Sequence, residues 1–138
     1  IKVIKMRYID NLSLANLYKE AEKSERLRAH LLLHQSHKDK VQRLLIALVK
    51  GSYVEPHYHE LPHQWEMFVI LEGTIEVALY DHMGEIIESF LAGENTDTSI
   101  VNLEPNEVHS IKCLSEKALM LEVKEGPFDA NYAKKFLN

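Results

Sequence analysis

The sequence predicts an all-β fold with one N-terminal helix. Two observations lead to this prediction: helical spacing of apolar residues is confined to the first part of the chain, and short apolar runs follow it. Short runs separated by turn residues are typical of a β-sandwich or a closed barrel. At 138 residues, 46% of them hydrophobic, the chain is long enough to bury one core. We therefore predict a single domain, with a helix over 9–24, a barrel over 28–125 and a tail over 126–138.

The helix is predicted from apolar residues at positions i, i+3, i+4 and i+7, which lie on one helical face. These residues are Leu14, Leu17, Tyr18 and Ala21. Asn11 or Ser13 can cap the first turn, since both residue types accept hydrogen bonds from free backbone N–H groups. The helical spacing is lost after Ser24.

Eight apolar runs after Arg28 are predicted to be strands. They are Ala29–Leu33, Val41–Val49, Met67–Leu71, Thr74–Tyr80, Ile86–Leu91, Ser99–Leu103, Val108–Leu114 and Lys117–Val123. Asp81–Gly84 lies between two of these runs and is predicted to be a hairpin loop. The tail contains Gly126, Pro127 and Phe128 and is irregular, so we expect a short flap or helix there.

Composition limits the partners and the compartment. The formal charge of −5 arises from 21 acidic and 16 basic residues, with no block of like charge. This pattern argues against binding of nucleic acid or an anionic membrane surface. No run approaches the roughly 20 apolar residues of a membrane span. Cys113 is the only cysteine, so no internal disulfide can form, and we expect a reducing, cytoplasmic location.

The predicted partners are therefore a small molecule and a second copy of the chain. Residues 44–49 and 67–71 are apolar on both faces of their strands, which is more than one barrel interior requires. A homodimer that buries an outer face would account for the excess.

A metal site is predicted from three histidines and one glutamate: His57, His59, Glu66 and His109. On an extended strand, residues i and i+2 share a face, so His57 and His59 can converge on one ion. Glu66 shares strand parity with apolar neighbours, and an ionised carboxylate in such a setting is costly unless it is paired or coordinated. Imidazole and carboxylate together suit a divalent transition metal, namely Fe, Mn, Ni, Co or Zn.

The spacing around these residues resembles the two motifs of the cupin family. The first motif, G-x5-H-x-H-x3,4-E-x6-G, matches Gly51, His57, His59, Glu66 and Gly73. The second, P-x-G-x2-H, ends here at His109. The resemblance implies a double-stranded β-helix, the jelly-roll barrel of cupins, with a metal bound near its centre.

Two departures from the motifs leave alternatives open. Six residues rather than three or four separate His59 from Glu66, so His63 in that loop is a possible substitute ligand, and an empty site is a further alternative. In the second motif Glu104 replaces proline and Asn106 replaces glycine. Asparagine tolerates positive φ better than other non-glycine residues, so the turn can be retained.

The similarity extends to the WbuC family of cupin-fold metalloproteins and covers nearly the whole chain. The matching segments are Arg26–His34, Val41–Leu48, Trp65–Glu66 and Glu122–Phe128. This family is often associated with bacterial surface-polysaccharide and O-antigen gene clusters. The resemblance brings no established reaction with it.

Two functions remain open at this point. The resemblance favours a small isomerase or lyase-type metalloenzyme acting on a sugar-derived metabolite in surface-polysaccharide biosynthesis. The alternative is a non-catalytic, metal-dependent module that binds or senses a small ligand, and a metal that only stabilises the barrel is a third reading. His34, Arg43, His63 and Lys124 are the predicted substrate-binding residues. No catalytic residue is identified from the sequence.

Overall fold

The computed structural model describes residues 6–137. One helix, α1, spans Asn11–Lys23 and precedes all the strands. The strands are β1 (Arg28–Leu32), β2 (Val41–Val49), β3 (Tyr53–Tyr58), β4 (Glu66–Glu72), β5 (Thr74–Tyr80), β6 (Ile86–Gly93), β7 (Ile100–Leu103), β8 (Val108–Cys113), β9 (Lys117–Glu125) and β10 (Lys135–Phe136). A single 3-10 turn, η1, covers Ala130–Tyr132. The predicted all-β fold with one N-terminal helix is confirmed.

Helix α1 is capped by Asp10 and not by the predicted Asn11 or Ser13. The Asp10 carboxylate accepts hydrogen bonds from the backbone N (2.9 Å) and the Oγ (2.8 Å) of Ser13, which satisfies a free donor of the first turn. The helix ends where Ser24 becomes extended. Within residues 6–137 no helix is long and apolar enough to cross a membrane.

Two antiparallel five-stranded sheets face each other. The first sheet has the order β1-β2-β9-β4-β7, and the second has the order β10-β3-β8-β5-β6. Alternating residues of both sheets point inward and form the main core, as expected when one face of each strand is buried. Its largest fully buried apolar members include Leu48, Ile75, Val77 and Met120.

Helix α1 covers the outer face of the first sheet. Leu17 and Ala21 pack there against Leu45, Ala47 and Leu119 in a second apolar cluster. The apolar outer face of β2, which the sequence analysis attributed to a dimer, is therefore buried within the chain. That part of the dimer argument is wrong because the helix supplies the cover.

Strand β3 was not among the predicted runs. Its sequence contains Pro56, which cannot donate a ladder hydrogen bond and is usually confined to edges or bulges. The pairing of β3 with β8 is irregular between Val54 and His57, and this irregularity accommodates Pro56. The strand therefore continues through His57 to Tyr58 despite its weak apolar pattern.

Two tight turns determine where neighbouring strands begin. The predicted hairpin loop joins β5 to β6, and Asp81 N donates to Glu85 O at 2.9 Å. Gly73 connects β4 to β5 with φ at +73°, and a Cβ at this position would lie 2.1 Å from the carbonyl oxygen of Lys117. Only glycine fits such a close approach of two backbones.

The tail returns to the barrel after β9. It forms η1 and then β10, which pairs with β3 through Lys135 opposite Tyr58 and Phe136 opposite His57. The expected flap or helix is thus a 3-10 turn followed by a short edge strand. This return brings the tail beside the predicted metal ligands.

Candidate metal centre

The second sheet places two of the predicted ligands side by side. His57 lies at the end of β3 and is the register partner of His109 on β8, with 4.3 Å between their ring centroids. Both side chains are buried. His59 follows one residue after β3, and its ring centroid lies 5.3 Å from that of His57. The predicted sharing of one face by His57 and His59 agrees with this arrangement.

Glu66 reaches the same point from the opposite sheet. It is the first residue of β4 and is buried. Its Oε1 atom lies 2.6 Å from His59 Nε2 and 3.5 Å from His109 Nε2. One nitrogen or oxygen atom from each of the four residues lies within 4.8 Å of the others. The four residues singled out by the sequence therefore form one cluster inside the barrel.

A turn before β8 links the two motif regions. Asn106 adopts φ of +69°, as the sequence analysis expected for this substitute of glycine. Its backbone N donates to the carbonyl oxygen of His59 at 2.8 Å. The turn therefore holds the backbone of one ligand while it leads into the strand that carries His109.

Each imidazole is oriented by a backbone carbonyl through its Nδ1 atom. His57 donates to Glu55 O at 2.8 Å, His59 to Ala133 O at 2.6 Å and His109 to Glu107 O at 2.9 Å. Carbonyl oxygens only accept, so the proton of each neutral ring is assigned to Nδ1. All three Nε2 atoms therefore carry lone pairs, which is the form that binds a metal.

The atoms that face one another in the cluster lack hydrogen-bond partners. Among residues 6–137, His59 Nε2, His109 Nε2 and Glu66 Oε1 are buried and unsatisfied. An imidazole lone pair and a carboxylate oxygen 2.6 Å apart are both acceptors, so they repel unless they share a cation. A metal ion would satisfy all of these atoms, and the donor set fits one.

The electrostatic setting keeps these donors in their metal-binding forms. Burial alone would raise the pKa of Glu66, but the Glu122 side chain, which donates to it, and the neighbouring His109 and His59 outweigh this effect and hold that pKa well below its usual range. Burial, together with the neighbouring His109, lowers the pKa of His57 to about 3. The cluster therefore offers an ionised carboxylate and a neutral imidazole at ordinary pH.

A second buried carboxyl group, Glu122, lies beside Glu66 and was missed by the sequence analysis. Burial and the charge of Glu66 raise its pKa well above the usual value. Protonated Glu122 is the partner that can donate to the Glu66 carboxylate. Its other neighbour is Lys124, whose Nζ lies 3.5 Å from Glu122 Oε2. The Glu122 side chain points inward from β9, although the alternating apolar residues of its segment do not predict a buried carboxylate there.

The cluster opens into a cavity of about 580 Å³, which all four candidate ligands line. This volume is in the range of small-molecule sites. Of the predicted substrate-binding residues, His34 and Lys124 line the cavity. Arg43 is exposed on β2, and His63 lies partly buried in the loop between β3 and β4 outside the ligand cluster. Substrate binding by these four residues stays a prediction, and the position of the last two does not support it.

Strand β1 supplies cavity residues that the sequence analysis did not assign. Within β1 these are Arg28, His30 and Leu32, and Arg26 just before the strand and His34 just after it line the cavity as well. The positions between them, including Ala29 and Leu31, pack in the cluster beneath α1. The signal was present as alternation of basic and apolar residues over 28–31, because alternate side chains of a strand face opposite ways.

The tail contributes two features with no recognisable sequence signal. Ala133 supplies the carbonyl that orients His59, and Lys134 lines the cavity. Gln64 holds this segment by donating to Tyr132 O at 2.6 Å. A backbone acceptor 74 positions away from its histidine cannot be recognised from residue types.

The fold is similar to solved cupin structures. The capsular polysaccharide assembling protein CapF from Staphylococcus aureus matches with a TM-score of 0.67 and 19% identity, over 83% of this chain and 33% of CapF. A cupin superfamily protein from Desulfitobacterium hafniense matches with 0.53 and 17%, over 71% and 76% of the two chains. Oxalate decarboxylase from Bacillus subtilis, described with Mn(II) centres, matches with 0.55 and 16%, over 72% and 24%.

These similarities establish the jelly-roll barrel of cupins and, at this level of identity, the fold alone. This chain spans about a third of the length of CapF. No curated protein matches it in sequence. The family described as a domain of unknown function, DUF6016, matches residues 9–92, which is more than half of the chain. The chain therefore belongs to this family, and its fold is that of a cupin.

Proposed function

We propose that this protein is a small metalloenzyme with isomerase or lyase-type activity on a sugar-derived metabolite, in the assembly of bacterial surface polysaccharide. One observation carries the proposal: the four converging donors line an open cavity of about 580 Å³. A metal that only stabilised the barrel would need no adjoining cavity. The WbuC-like sequence and the fold similarity to a capsular polysaccharide assembling protein support the pathway by analogy.

His57, His59, Glu66 and His109 would hold the metal, and we propose Fe, Mn, Ni, Co or Zn. When bound, such an ion supplies Lewis acidity that polarises a carbonyl group of the substrate. The chain itself provides polar groups beside this position, Glu122 and Lys124. An acid or base within reach of the substrate favours an enzyme over a sensing module.

Metal content tests the ligand assignment. We expect protein purified without added metal to contain about one ion per chain, and His57→Ala to lose most of it, because three remaining donors bind a divalent ion more weakly. His82→Gln is the matched control, since His82 is exposed outside the cluster and glutamine can still donate to Asn106 O. Equal metal content in wild type and His57→Ala, measured by elemental analysis, would refute the assignment.

Turnover tests the enzymatic part of the proposal. The metal-loaded protein is incubated with nucleotide sugars and sugar-derived keto acids, and products are followed by mass spectrometry. We expect conversion of one substrate class, lost in His57→Ala and retained in His82→Gln. Tight binding of a compound without conversion would instead support the binding module.

We also propose a homodimer in the cytoplasm. On the first sheet, Leu71 of β4 and Ile100 of β7 are apolar and 49% and 56% exposed. Such a patch is a common dimer surface. Cys113 is buried and is the only cysteine, which fits a reducing compartment. A monomeric mass by light scattering at micromolar concentration would contradict the dimer.

A further inference from the structure

The cavity collects positive charge in a chain that is acidic overall. Four of the 16 lysines and arginines line it, compared with two of the 21 aspartates and glutamates. The four basic residues are Arg26, Arg28, Lys124 and Lys134, and the two acidic residues are Glu66 and Glu122. Lys124 is partly compensated, because its Nζ lies 3.5 Å from Glu122. The other three cations need a separate explanation.

Arg26, Arg28 and Lys134 come together from two distant parts of the chain. Arg28 begins β1, Arg26 lies in the turn two residues before it, and both line the cavity. Arg28 makes one long hydrogen bond to the backbone, donating to Tyr53 O at 3.4 Å. Lys134 comes from the tail, and its Nζ lies 5.2 Å from the ring centroid of Phe136. The three side chains therefore line the same cavity.

No carboxylate neutralises these three groups. Among residues 6–137 none of them forms an ion pair, although ion pairs form elsewhere on the same chain. Glu55 is the acidic residue whose charge acts on Arg28, and it lies beyond ion-pair distance. Three neighbouring cations without a counter-ion repel one another.

The charges of Arg26, Arg28 and Lys134 lower the pKa values of groups near them. Burial and the charges of Arg28 and Arg26 lower the pKa of Lys134. Burial and Arg26 lower the pKa of Arg28. Burial and the same cations lower the pKa of His30, the next inward residue of β1, to about 4. Lys134 directly follows Ala133, whose carbonyl oxygen accepts from His59, so this lysine is next in sequence to a residue that contacts the metal cluster. A bound anion would relieve this repulsion.

We propose that Arg26, Arg28 and Lys134 bind a phosphate group of the small molecule that occupies the cavity. Arginine presents a planar fork that matches phosphate oxygens, and three cations suit a dianion better than a single carboxylate. The inference rests on the proposed function because the same cavity contains the metal ligands. It narrows the substrate to a phosphorylated compound, with its reacting end at the metal cluster and its phosphate beside β1.

Titration calorimetry with inorganic phosphate tests the site on the full-length protein, both metal-loaded and after metal removal. We compare wild type with Arg28→Gln/Lys134→Gln and with the control Lys19→Gln/Lys23→Gln, whose exposed lysines lie on α1. Both double variants remove two positive charges, so net charge is matched. We expect about a tenfold or greater loss of affinity only in the cavity variant, since hydrogen bonds to charged groups are strong.

Further variants separate the phosphate site from folding defects and from the metal. Arg28→Lys/Lys134→Arg retains both charges and is expected to bind phosphate close to wild type, while circular dichroism checks that every variant folds. No phosphate binding by wild type, or equal binding by the Gln/Gln variant, would overturn the proposal. Tighter binding of malonate than of phosphate would assign the site to carboxylates and overturn it as well.

The two proposals fail separately. Phosphate binding to the metal-free protein measures the cationic site alone, and elemental analysis of His57→Ala measures the metal site alone. Absence of turnover with intact phosphate binding would count against the enzyme and leave the anion site in place.

Discussion

At the scale of residues, the metal cluster is oriented entirely by backbone. The Nδ1 atoms of His57, His59 and His109 all donate to carbonyl oxygens, and none depends on a side-chain acceptor. Substitutions around the cluster therefore leave the histidine tautomers unchanged as long as the backbone keeps its path. The side chain that remains decisive is the carboxylate of Glu66.

We expect Glu66→Gln to lose at least tenfold in metal affinity, because the amide is neutral and coordinates a divalent ion poorly. His63→Gln is expected to keep wild-type affinity, since His63 lies outside the four converging residues. Competition with a chromogenic chelator measures both. Loss of metal in His63→Gln with retention in Glu66→Gln would instead assign His63 as the ligand.

The cluster of His57, His59, Glu66 and His109 could be predicted from sequence because the spacing of these residues places them together in the fold. His57 and His59 share a strand face by their i, i+2 separation, and Asn106 adopts the positive φ expected of it. The partners of these residues could not be predicted in the same way. Glu122 resembles any strand glutamate until the fold turns it inward beside Glu66, and Ala133 contributes only a carbonyl.

At the scale of elements, the tail acts as a support for the metal cluster. Strand β10 pairs beside His57, and the segment before it orients His59 through Ala133 O. The tail is largely exposed apart from these contacts. Its contribution is therefore expected in metal affinity more than in the stability of the barrel.

Deletion of residues 129–138 is expected to lower metal affinity by roughly 10–100-fold, because loss of an orienting hydrogen bond has effects of this size. Deletion of 137–138 alone keeps both Ala133 and β10 and serves as the control. Chelator competition gives the affinities, and circular dichroism verifies the sheets. Wild-type metal affinity in the longer deletion would show that the tail does not support the cluster.

Helix α1 is fixed to the barrel by one polar contact as well as by apolar packing. Tyr18 is 6% exposed, and its hydroxyl donates to Glu72 Oε1 at 2.8 Å. Lys117 Nζ lies 4.6 Å from the centroid of the same ring. Burial, with the hydrogen bond to Glu72 and its negative charge, raises the pKa of Tyr18.

This raised pKa gives a defined alkaline dependence. The folded state favours neutral Tyr18, so its contribution to stability is complete below pH about 10 and is lost as pH rises above that value. We expect Tyr18→Phe to cost about 1–2 kcal/mol at neutral pH and to flatten the decline of unfolding free energy above pH about 10. Tyr8→Phe, at an exposed position, is the control. Parallel pH profiles for wild type and Tyr18→Phe, from urea unfolding, would contradict the assignment.

Element prediction succeeded where local pattern and burial coincide. Helix α1 followed from its apolar spacing, and the β5–β6 hairpin followed from its loop. It failed at β3, because Pro56 and a polar face conceal a strand whose pairing is interrupted. It also failed for the outer face of β2, since apolar residues on two faces do not reveal whether a helix or a second copy covers them.

At the scale of the whole molecule, the charge of the cavity lining differs from the charge of the chain as a whole. The chain has a net charge of −5, yet its cavity collects four of its cations together with the histidines of the metal cluster. Such an arrangement attracts anions to the cavity mouth while the exterior remains acidic. Overall composition argued against nucleic acid as a partner and did not reveal this contrast between the cavity and the whole chain.

Metal is expected to stabilise the whole barrel, because the ligands come from both sheets. At a free metal concentration about 100-fold above Kd, linkage predicts roughly 2.7 kcal/mol, or a rise in Tm of about 10 °C. Differential scanning calorimetry of chelator-treated and reloaded protein measures it. Glu66→Gln is expected to show a much smaller rise, and an equal rise in both proteins would place the stabilising ion elsewhere.

Both faces of strand β1 are in use: one face lines the cavity and the other packs against helix α1. Its alternate residues serve the cavity and the helix in turn, so each position is committed to one of two environments. Inserting one residue before Arg28 would exchange the two sets, turning Arg28 and His30 toward α1 and Ala29 and Leu31 toward the cavity. The segment is therefore expected to tolerate substitution within each set far better than any change in its length.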